Sequence, residues 1–240
     1  MGVYHIAHTP KLDGVSLYFN AGCNFFCRGC LINFYPWDRH LDRESTQTKN
    51  RTLNINEVIV YLKPLSFKKV IFLGKEPTID RDFLPLARIT KKDFFTHNIL
   101  ITNGWEYIED EAIDEVCVSI KAVTPQLFKD FTGRDNPLWV LNNFKKYVHN
   151  PKIKVRAESI FIPGYIDNIE IEKIAEFISS VDSTIPYRID GYISRLENDR
   201  FRRPTRAEME EAKSVSEKYL QNVSFMYLRT KLKARSERIY

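Results

Sequence analysis

Residues 15–30 read VSLYFNAGCNFFCRGC, a run of strand length that leads directly into a loop rich in cysteine. The apolar part, Val15–Asn20, predicts a β-strand. The loop after it holds Cys23, Cys27 and Cys30, separated by three and then two residues. Proteins built from βα units place functional groups at the carboxyl ends of their strands. Three thiols in such a loop, among polar residues, therefore indicate a metal site and not core packing.

Outward from this segment, stretches of strand length alternate with segments of helical period. Most of the strand-length stretches are continuously apolar or β-branched, which is typical of strands buried on both faces of a parallel sheet. The predicted strands are Val15–Asn20, Lys69–Leu73, Asn98–Thr102, Glu115–Lys121, Ile153–Ile162 and Tyr187–Ile193, with a seventh, less regular one at Val223–Leu228. This alternation predicts an α/β fold of repeated βα units with right-handed crossovers.

The intervening helices have recognisable start signals. Thr124–Pro125 and Asn136–Pro137 each place a capping residue before a first-turn proline. A polar residue followed three positions later by glutamate predicts capping boxes at Asn54 with Glu57, Asp167 with Glu170, and Thr205 with Glu208. The apolar residues of Ile169–Ile178, Ile169 included, recur at helical spacing and predict a helix face that packs on a sheet.

Length and composition indicate one globular domain. The chain has 240 residues, 43% of them hydrophobic and 28% charged, which suits a substantial core. We expect a single domain over residues 1–240, with its core at about 15–211 and a basic C-terminal segment at 212–240. No apolar run approaches the ~18 residues that span a membrane, and the N-terminus lacks a secretory signal. A cytoplasmic protein without a membrane partner is the expectation.

The positive charge is concentrated late in the chain. The net charge is +5 and the pI is about 8.9. A basic tail attracts nucleic acid or acidic protein surfaces, but no recognisable RNA-binding motif is present. A solvated terminal helix is the preferred interpretation, so no nucleic-acid partner is expected. The polar stretch Arg39–Arg51 is the one long irregular segment, and we interpret it as a functional or mobile loop.

The number of cysteines distinguishes between the kinds of metal group that the loop could bind. Three of the four cysteines cluster, which favours metal binding over disulfides in a reducing compartment. A cubane cluster held by three cysteines leaves one iron open, whereas a structural zinc takes four protein ligands. His8 or His40 would have to complete a zinc site, and a non-catalytic zinc-binding protein stays as an alternative. Cys117, in an apolar run, is interpreted as a buried structural thiol.

The C-x₃-C-x₂-C spacing after a first strand resembles the signature of the radical S-adenosylmethionine (SAM) superfamily. Within it, the chain is most similar to the pyruvate formate-lyase activating enzymes, over about Val15 to Glu211. The resemblance implies a partial (β/α)₆ TIM-like barrel, the radical SAM core. It also implies that Cys23, Cys27 and Cys30 hold a [4Fe–4S] cluster to which SAM binds.

A motif after the second predicted strand, Leu-Gly-Lys-Glu-Pro at residues 73–77, is similar to the family's Gly-Gly-Glu-Pro. The resemblance implies that Gly74, Lys75 and Glu76 contact the methionine part of SAM. Lys75 stands where the family has a second glycine, so we expect the local backbone to differ. Glu76 would either bond to the SAM ammonium group or brace the loop.

Two more motifs close the next predicted strands. Thr102-Asn103-Gly104 is similar to the family's Thr-Asn-Gly, which implies that Asn103 faces SAM, with an ordinary Asn-Gly turn as the alternative.

Val118-Ser-Ile-Lys121 resembles an Asp-x-Lys segment of the family. Ser119 replaces the acid that contacts ribose, and a hydroxyl can still make that hydrogen bond. Lys121 is the candidate catalytic residue facing the cavity, with an ordinary solvated lysine as the alternative.

Arg156 lies in an otherwise apolar predicted strand, where an unpaired charge is costly. By resemblance, its partner is the SAM carboxylate. Glu158, two residues on and therefore on the same face, is an alternative partner, and Asp190 on the next strand is another. The segment Ile162–Asp167 after this strand closely matches the family's Val-Pro-Gly segment.

The last predicted strand of the barrel aligns with a Leu-Pro-Tyr-His segment of the family, which places Tyr192 among the SAM-binding residues. Ile193 replaces the histidine that packs on adenine, and an aliphatic side chain can still cover a purine. Gly29 stands where many members have an aromatic residue before the third cysteine. Trp37 would supply the missing aromatic ring as a lid over the site. Trp37 and Lys121 would then both line the cavity.

The resemblance also implies a reaction and its partners. Reductive cleavage of SAM at the cluster would give a 5′-deoxyadenosyl radical that abstracts hydrogen, with ferredoxin or flavodoxin as the low-potential electron donor. The substrate would be a glycyl-radical enzyme. Another peptide or small molecule is the alternative substrate. Cys117 is the only other cysteine, so the count excludes a second cluster held by four cysteines.

Overall fold

The computed structural model describes residues 2–38, 41, 51–193, 200–228, 230 and 234–240. Most of the predicted functional loop Arg39–Arg51, including His40, lies outside these residues. The strands are β1 Val3–Thr9, β2 Gly14–Phe19, β3 Lys69–Gly74, β4 His97–Thr102, β5 Glu115–Ser119, β6 Lys154–Phe161, β7 Tyr187–Gly191, β8 Val223–Met226 and β9 Glu237–Arg238. The helices are α1 Leu31–Phe34, α2 Ile55–Leu62, α3 Phe83–Asp93, α4 Pro125–Thr132, α5 Leu138–His149, α6 Asn168–Val181 and α7 Arg206–Ser216.

The described strands form one sheet in the order β8-β7-β6-β5-β4-β3-β2-β1-β9. Neighbours from β2 to β8 pair in parallel, whereas β1 pairs antiparallel with β2 and with β9. The edge strands β8 and β9 do not pair with each other, so the sheet formed by the described strands is not closed. The predicted α/β class and partial TIM-like barrel are confirmed, and all six predicted barrel strands are present as β2 to β7. The seventh is present as β8.

Two strands were not predicted. All seven residues of β1 are buried, but two histidines interrupt its apolar pattern. The two residues of β9 are held by backbone pairing with β1, far away in sequence. The basic segment 212–240 is helical only at its start, where α7 ends at Ser216, so the predicted terminal helix is wrong for the rest of its described part. Its segment Ser236–Tyr240 lies along β1, where Ile239 N and Tyr240 N donate to Ile6 O.

The helix starts follow most of the predicted signals. The capping boxes at Asn54 and Thr205 are present, and Pro125 occupies the first turn of α4. At α6 the expectation was wrong in part, since Asp167 caps the helix but Glu170 does not complete a box. The carboxylate of Glu170 instead accepts hydrogen bonds from the backbone N–H groups of residues 123 and 124. α5 begins one residue late, at Leu138.

Helices cover one face of the barrel strands, and in β5 to β7 the other face carries polar and charged side chains. In β6 and β7 the residues that alternate with the charged ones, such as Ala157 and Ile189, are buried in the core with α6 and α7. Ile169 is 68% exposed, so the expectation that it joins the buried face of α6 was wrong. No helix in the described part of the chain is long and apolar enough to cross a membrane.

Candidate active site

The cysteine loop begins directly after β2, at the carboxyl end of the parallel strands. Cys23, Cys27 and Cys30 are free thiols, each half-buried. The loop is fastened to the end of α4, since Phe26 N donates to Thr132 O over 2.8 Å and Arg28 N donates to Phe131 O over 2.9 Å. Tertiary hydrogen bonds therefore fix the loop.

Burial disfavours the thiolate form of two of these cysteines. It raises the pKa of Cys27 to about 12, although the positive charge of Lys121 opposes this. Burial also raises the pKa of Cys23, and a hydrogen bond from the N–H of Phe25 opposes the rise. Cysteine ligands bind metals as thiolates, so a cationic group at this position would supply the charge that stabilises them.

Gly74 ends β3 against the strand that leads into the cysteines. A Cβ built on Gly74 would lie 2.6 Å from Phe19 N, and the residue has φ +116°, so only glycine fits there. Lys75 N donates to Phe19 O over 3.1 Å, and Glu76 N donates to Gly22 O over 3.2 Å. Lys75 is not among the described residues with positive φ, so its replacement of a glycine causes no backbone strain.

Glu76 connects this motif to the end of β4. Its side chain is buried, and Oε1 accepts hydrogen bonds from Thr78 N, Thr78 Oγ1 and Thr102 Oγ1, the latter two at 2.8 Å. Oε2 accepts from Asn103 N at 2.8 Å. Burial raises the pKa of Glu76, and these hydrogen bonds oppose the rise. Both oxygens are used within the protein, which is the loop-bracing role that the sequence left open.

Asn103 connects the end of β4 to the cysteine loop. Its Nδ2 lies 2.6 Å from Asn24 Oδ1 and 3.6 Å from Cys23 Sγ, and its Oδ1 accepts from Trp105 N. Sequence reasoning missed Asn24, whose only signal was its position beside Cys23. Asn24 Nδ2 is buried and has no hydrogen-bond partner among the described residues.

Ser119 and Lys121 meet at the end of β5. Lys121 Nζ donates to Ser119 Oγ over 2.5 Å. The charge of Lys121 opposes the rise that burial causes in the pKa of Cys27. Burial also acts to raise the pKa of Glu158 on β6, but the charge of Arg188, and after it that of Lys121, lowers this pKa, so Lys121 lies near both groups. The predicted catalytic lysine thus lies between the cysteine loop and the inner face of β6.

Within the protein, the ion-pair partner of Arg156 is neither of the two carboxylates expected from the sequence. Its Nε lies 2.7 Å from Glu115 Oε1 on β5, whereas Glu158 and Asp190 both pair with Arg188, at 2.6 and 2.9 Å. The register places Arg156 opposite Cys117, so Glu115 is two residues away on the same face. Glu158 or Asp190 as the partner of Arg156 was therefore wrong.

Cys117 lies on the same inner face and is buried, as predicted. Its Sγ lies 3.5 Å from Glu158 Oε2. Burial raises the pKa of this thiol well above its ordinary value, and the negative charge of Glu158 adds to the rise. The structural thiol is thus held protonated beside a carboxylate.

An aromatic ring does lie beside Gly29, but it belongs to Tyr192. A Cβ built on Gly29 would lie 2.7 Å from Tyr192 Cε2. Trp37, the lid predicted from the sequence, packs edge-on against His5 at 5.6 Å and contacts Arg238. The aromatic neighbour of the residue before the third cysteine is therefore Tyr192 and not the predicted Trp37. The reason is that β7, which Tyr192 directly follows, ends beside the cysteine loop.

Comparison with known proteins decides the family. The profile of the radical SAM superfamily matches residues 17–178. The chain belongs to the radical SAM superfamily. Members of this superfamily use a [4Fe–4S] cluster and SAM, so the two cofactors that the resemblance implied are confirmed.

Relatives extend over most of this radical SAM chain. A protein of Methanocaldococcus jannaschii, provisionally named a glycyl-radical enzyme activating enzyme, is 30% identical over 225 residues, which cover 91% of this chain and 83% of that protein. The GTP 3′,8-cyclase of Actinobacillus succinogenes is 25% identical over 75% of this chain and 53% of its own length.

Among solved structures, SuiB of Streptococcus suis with SAM bound superposes with a TM-score of 0.64 at 15% identity. The match covers 91% of this chain and 52% of SuiB. This chain thus spans about half the length of SuiB and of the cyclase. The likeness to SuiB supports the radical SAM fold.

The residues around the three cysteines fit a radical SAM cluster. In the described part of the chain, no three His, Cys, Asp or Glu side chains gather around one metal-ion position, and this holds for the three loop cysteines too, so the loop is not a site for a single ion. His8, a predicted zinc ligand, donates from Nε2 to Ser66 O over 3.0 Å instead. A Cβ built on Gly22 would meet no atom within 4 Å. This space, with the unpaired Asn24 Nδ2, suits a bulkier group that carries hydrogen-bond acceptors.

Proposed function

We propose that this radical SAM enzyme activates a glycyl-radical enzyme by removing a hydrogen atom from a glycine Cα of that protein. The observation that carries the proposal is the exposed apolar surface at the cysteine loop. Phe26, between two of the cysteines, is 77% exposed. Trp139 at the start of α5 is 63% exposed, and its ring lies beside Trp105, which packs against Phe25 of the cysteine loop. Exposed aromatic residues beside a site are typical of a protein-binding surface. The relative from Methanocaldococcus jannaschii supports the same partner class.

Within this proposal, the three cysteines hold the cluster and residues at the strand ends hold SAM. The proposed SAM contacts are Gly74, Lys75, Asn103, Ser119, Arg156 and Tyr192, whereas Glu76, whose oxygens already accept four hydrogen bonds within the protein, would brace the loop. When bound, the cluster and SAM supply the hydrogen-abstracting radical. The protein orients these groups and excludes water from them. Lys121 provides a fixed positive charge beside Ser119 and the cysteine loop. Gly74 lets the backbone approach closely, and Glu76 keeps the ends of β3 and β4 together.

The test begins with protein reconstituted anaerobically with iron and sulfide. We expect about four irons per chain, as a cubane requires, and 5′-deoxyadenosine when dithionite and SAM are added. The Cys27→Ser variant should lose both the bound iron and the formation of 5′-deoxyadenosine. Cys117→Ser is the matched control, because this buried thiol lies outside the loop, and it should keep both.

The partner is tested separately, by adding a candidate glycyl-radical enzyme and recording the electron paramagnetic resonance (EPR) signal of a glycyl radical. Phe26→Asp should reduce that signal while 5′-deoxyadenosine formation without the partner stays unchanged. A full rate of SAM cleavage with no glycyl signal from any such enzyme would contradict the partner assignment and leave the SAM cleavage intact.

A second candidate is radical chemistry on a small polar substrate or a peptide. It is favoured by the half-buried charged side chains on the inner face of the sheet, Arg156, Glu158, Arg188 and Asp190. Buried charges of this kind suit a polar ligand better than an apolar one. The GTP 3′,8-cyclase relative points to a nucleotide. Deuterium transfer from labelled GTP into 5′-deoxyadenosine would support it, and its absence would oppose it.

A further inference from the structure

We infer that Asn24 and Asn103 form an amide pair that positions Cys23 and raises the reduction potential of the cluster bound there. The inference rests on the radical SAM cluster of the proposed function, but it concerns how easily that cluster is reduced. It does not depend on which substrate the enzyme uses. Neither asparagine is a cluster ligand, so both act through the sulfur of Cys23.

The orientation of the Asn103 amide is determined by its neighbours. Trp105 N donates to Asn103 Oδ1 over 2.9 Å, so this atom must be the carbonyl oxygen. The opposite end is therefore the NH₂ group, and it lies 2.6 Å from Asn24 Oδ1 and 3.6 Å from Cys23 Sγ. An amide NH₂ has two N–H bonds, so it can serve both acceptors at once.

The Asn103 side chain is also held firmly. It is only 7% exposed, and its own backbone N–H donates to the buried Glu76. The chain of contacts thus runs from the buried carboxylate through Asn103 to the sulfur. A donor that is fixed in this way loses little entropy when it makes its hydrogen bond, so the contact is pre-organised.

Hydrogen bonds to a ligand sulfur stabilise the added negative charge of the reduced cluster and raise its potential. Cys23 Sγ accepts one such bond from Asn103 and another from Phe25 N at 3.4 Å. Asn24 Oδ1 lies 4.0 Å from the same sulfur, and Asn24 Nδ2, at the other end of the amide, is buried without a partner in the described residues, so it is a further donor for a bound group. Loss of these donors should therefore make the cluster harder to reduce.

Two isosteric substitutions test the inference. Asn103→Asp keeps the oxygen that accepts from Trp105 and replaces the donor to Cys23 with a second oxygen. Asn24→Asp keeps the acceptor for Asn103 and removes only the unpaired donor. Asn143→Asp is the matched control, because Asn143 is also buried and its Nδ2 donates to Gly104 O and Trp105 O of the same turn without touching Cys23.

The measurement is a redox titration of the reconstituted proteins, followed by the EPR signal of the reduced cluster and normalised to bound iron. We expect more negative midpoint potentials for Asn103→Asp and Asn24→Asp than for the wild type and Asn143→Asp. Loss of the cluster in the first two variants, with retention in Asn143→Asp and unchanged circular dichroism, would support the positioning role.

Equal midpoint potentials in all four proteins at equal iron content would overturn the inference. So would an equal shift in Asn143→Asp, since that result would mean that any disturbance of the turn changes the potential. Failure of the proposed function is distinguishable, because a shifted potential with no glycyl radical contradicts the partner and not the amide pair.

Discussion

Gly29 lies directly against the ring of Tyr192, so that a Cβ on Gly29 would come within 2.7 Å of Tyr192 Cε2 and within 3.0 Å of its hydroxyl oxygen. Gly29 also has a φ of +76°. The loop between the second and third cysteines therefore depends on a residue without a side chain, for two separate reasons. One is backbone conformation, and the other is contact with a residue at the end of β7.

Gly29→Ala should destabilise the protein by more than backbone strain alone. Gly164 separates the two effects, because it has φ +72° and no atom within 4 Å of a built Cβ. Gly164→Ala should cost about 1 kcal/mol of unfolding free energy through the left-handed conformation. Gly29→Ala adds a steric overlap of about 1–3 kcal/mol. Urea denaturation measures both.

The double variant Gly29→Ala/Tyr192→Ala supplies the internal check on this explanation. Removal of the ring should recover the steric part of the loss, so the two substitutions should be non-additive. Equal costs for Gly29→Ala and Gly164→Ala would show that the contact with Tyr192 does not matter for stability.

Glu76→Gln should destabilise the ends of β3 and β4. Four protein donors converge on the two carboxylate oxygens, and glutamine would place an NH₂ group against some of them. A buried donor left without an acceptor costs about 1–3 kcal/mol, and we expect a loss of about 2 kcal/mol in denaturation experiments. Glu111→Gln, whose side chain is 91% exposed in its pair with Lys152, should change stability by less than about 0.5 kcal/mol.

Lys121→Met should weaken SAM binding about tenfold, which corresponds to about 1.4 kcal/mol. The reason is the loss of a charged donor that lies beside Ser119 and the cysteine loop. Equilibrium dialysis of the reconstituted protein against labelled SAM measures the affinity. Lys129→Met is the control, since Lys129 is 59% exposed and pairs with an exposed aspartate. An unchanged SAM affinity for Lys121→Met would remove Lys121 from the binding site.

Acid should destabilise the fold through His5. This histidine is fully buried, its Nε2 accepts from Asp38 N, and its Nδ1 lies 2.6 Å from Tyr240 O, so Nδ1 carries the proton and the ring is neutral. Burial lowers the pKa of His5, helped by Arg238, while the contacts with Tyr240 and Asp38 oppose the shift.

The direction of the pH effect on stability follows because the pKa of His5 is lower in the folded chain than in the unfolded chain. The unfolded chain therefore binds more protons below about pH 6.5, and stability falls as the pH drops through that value. The limiting slope for one group is about 1.4 kcal/mol per pH unit. Urea denaturation between pH 5 and pH 8 should show this loss for the wild type and a smaller one for His5→Gln. Equal slopes for the two proteins would assign the acid sensitivity to other groups.

Much of the architecture and the location of the site could be predicted from local patterns. The strands of the barrel were predictable because each has its own apolar run, and the capping boxes at Asn54 and Thr205 because both partners lie within one turn. The cysteine spacing predicted the family. Strand β1 was missed because His5 and His8 are polar in sequence, yet both are buried once the strand pairs with β2.

The sequence by itself determined the order of βα units, the position of the three cysteines after a strand, and the cofactor class that such cysteines hold. Only the tertiary structure decided which side chains surround them. Asn103 meets Cys23 across 80 positions of the chain, and Arg156 selects Glu115 over Glu158 because of strand register. Tyr192 takes the place expected for Trp37 because β7 ends beside the cysteine loop. Local periodicity reports which face of an element is apolar, whereas these contacts depend on how distant strands align.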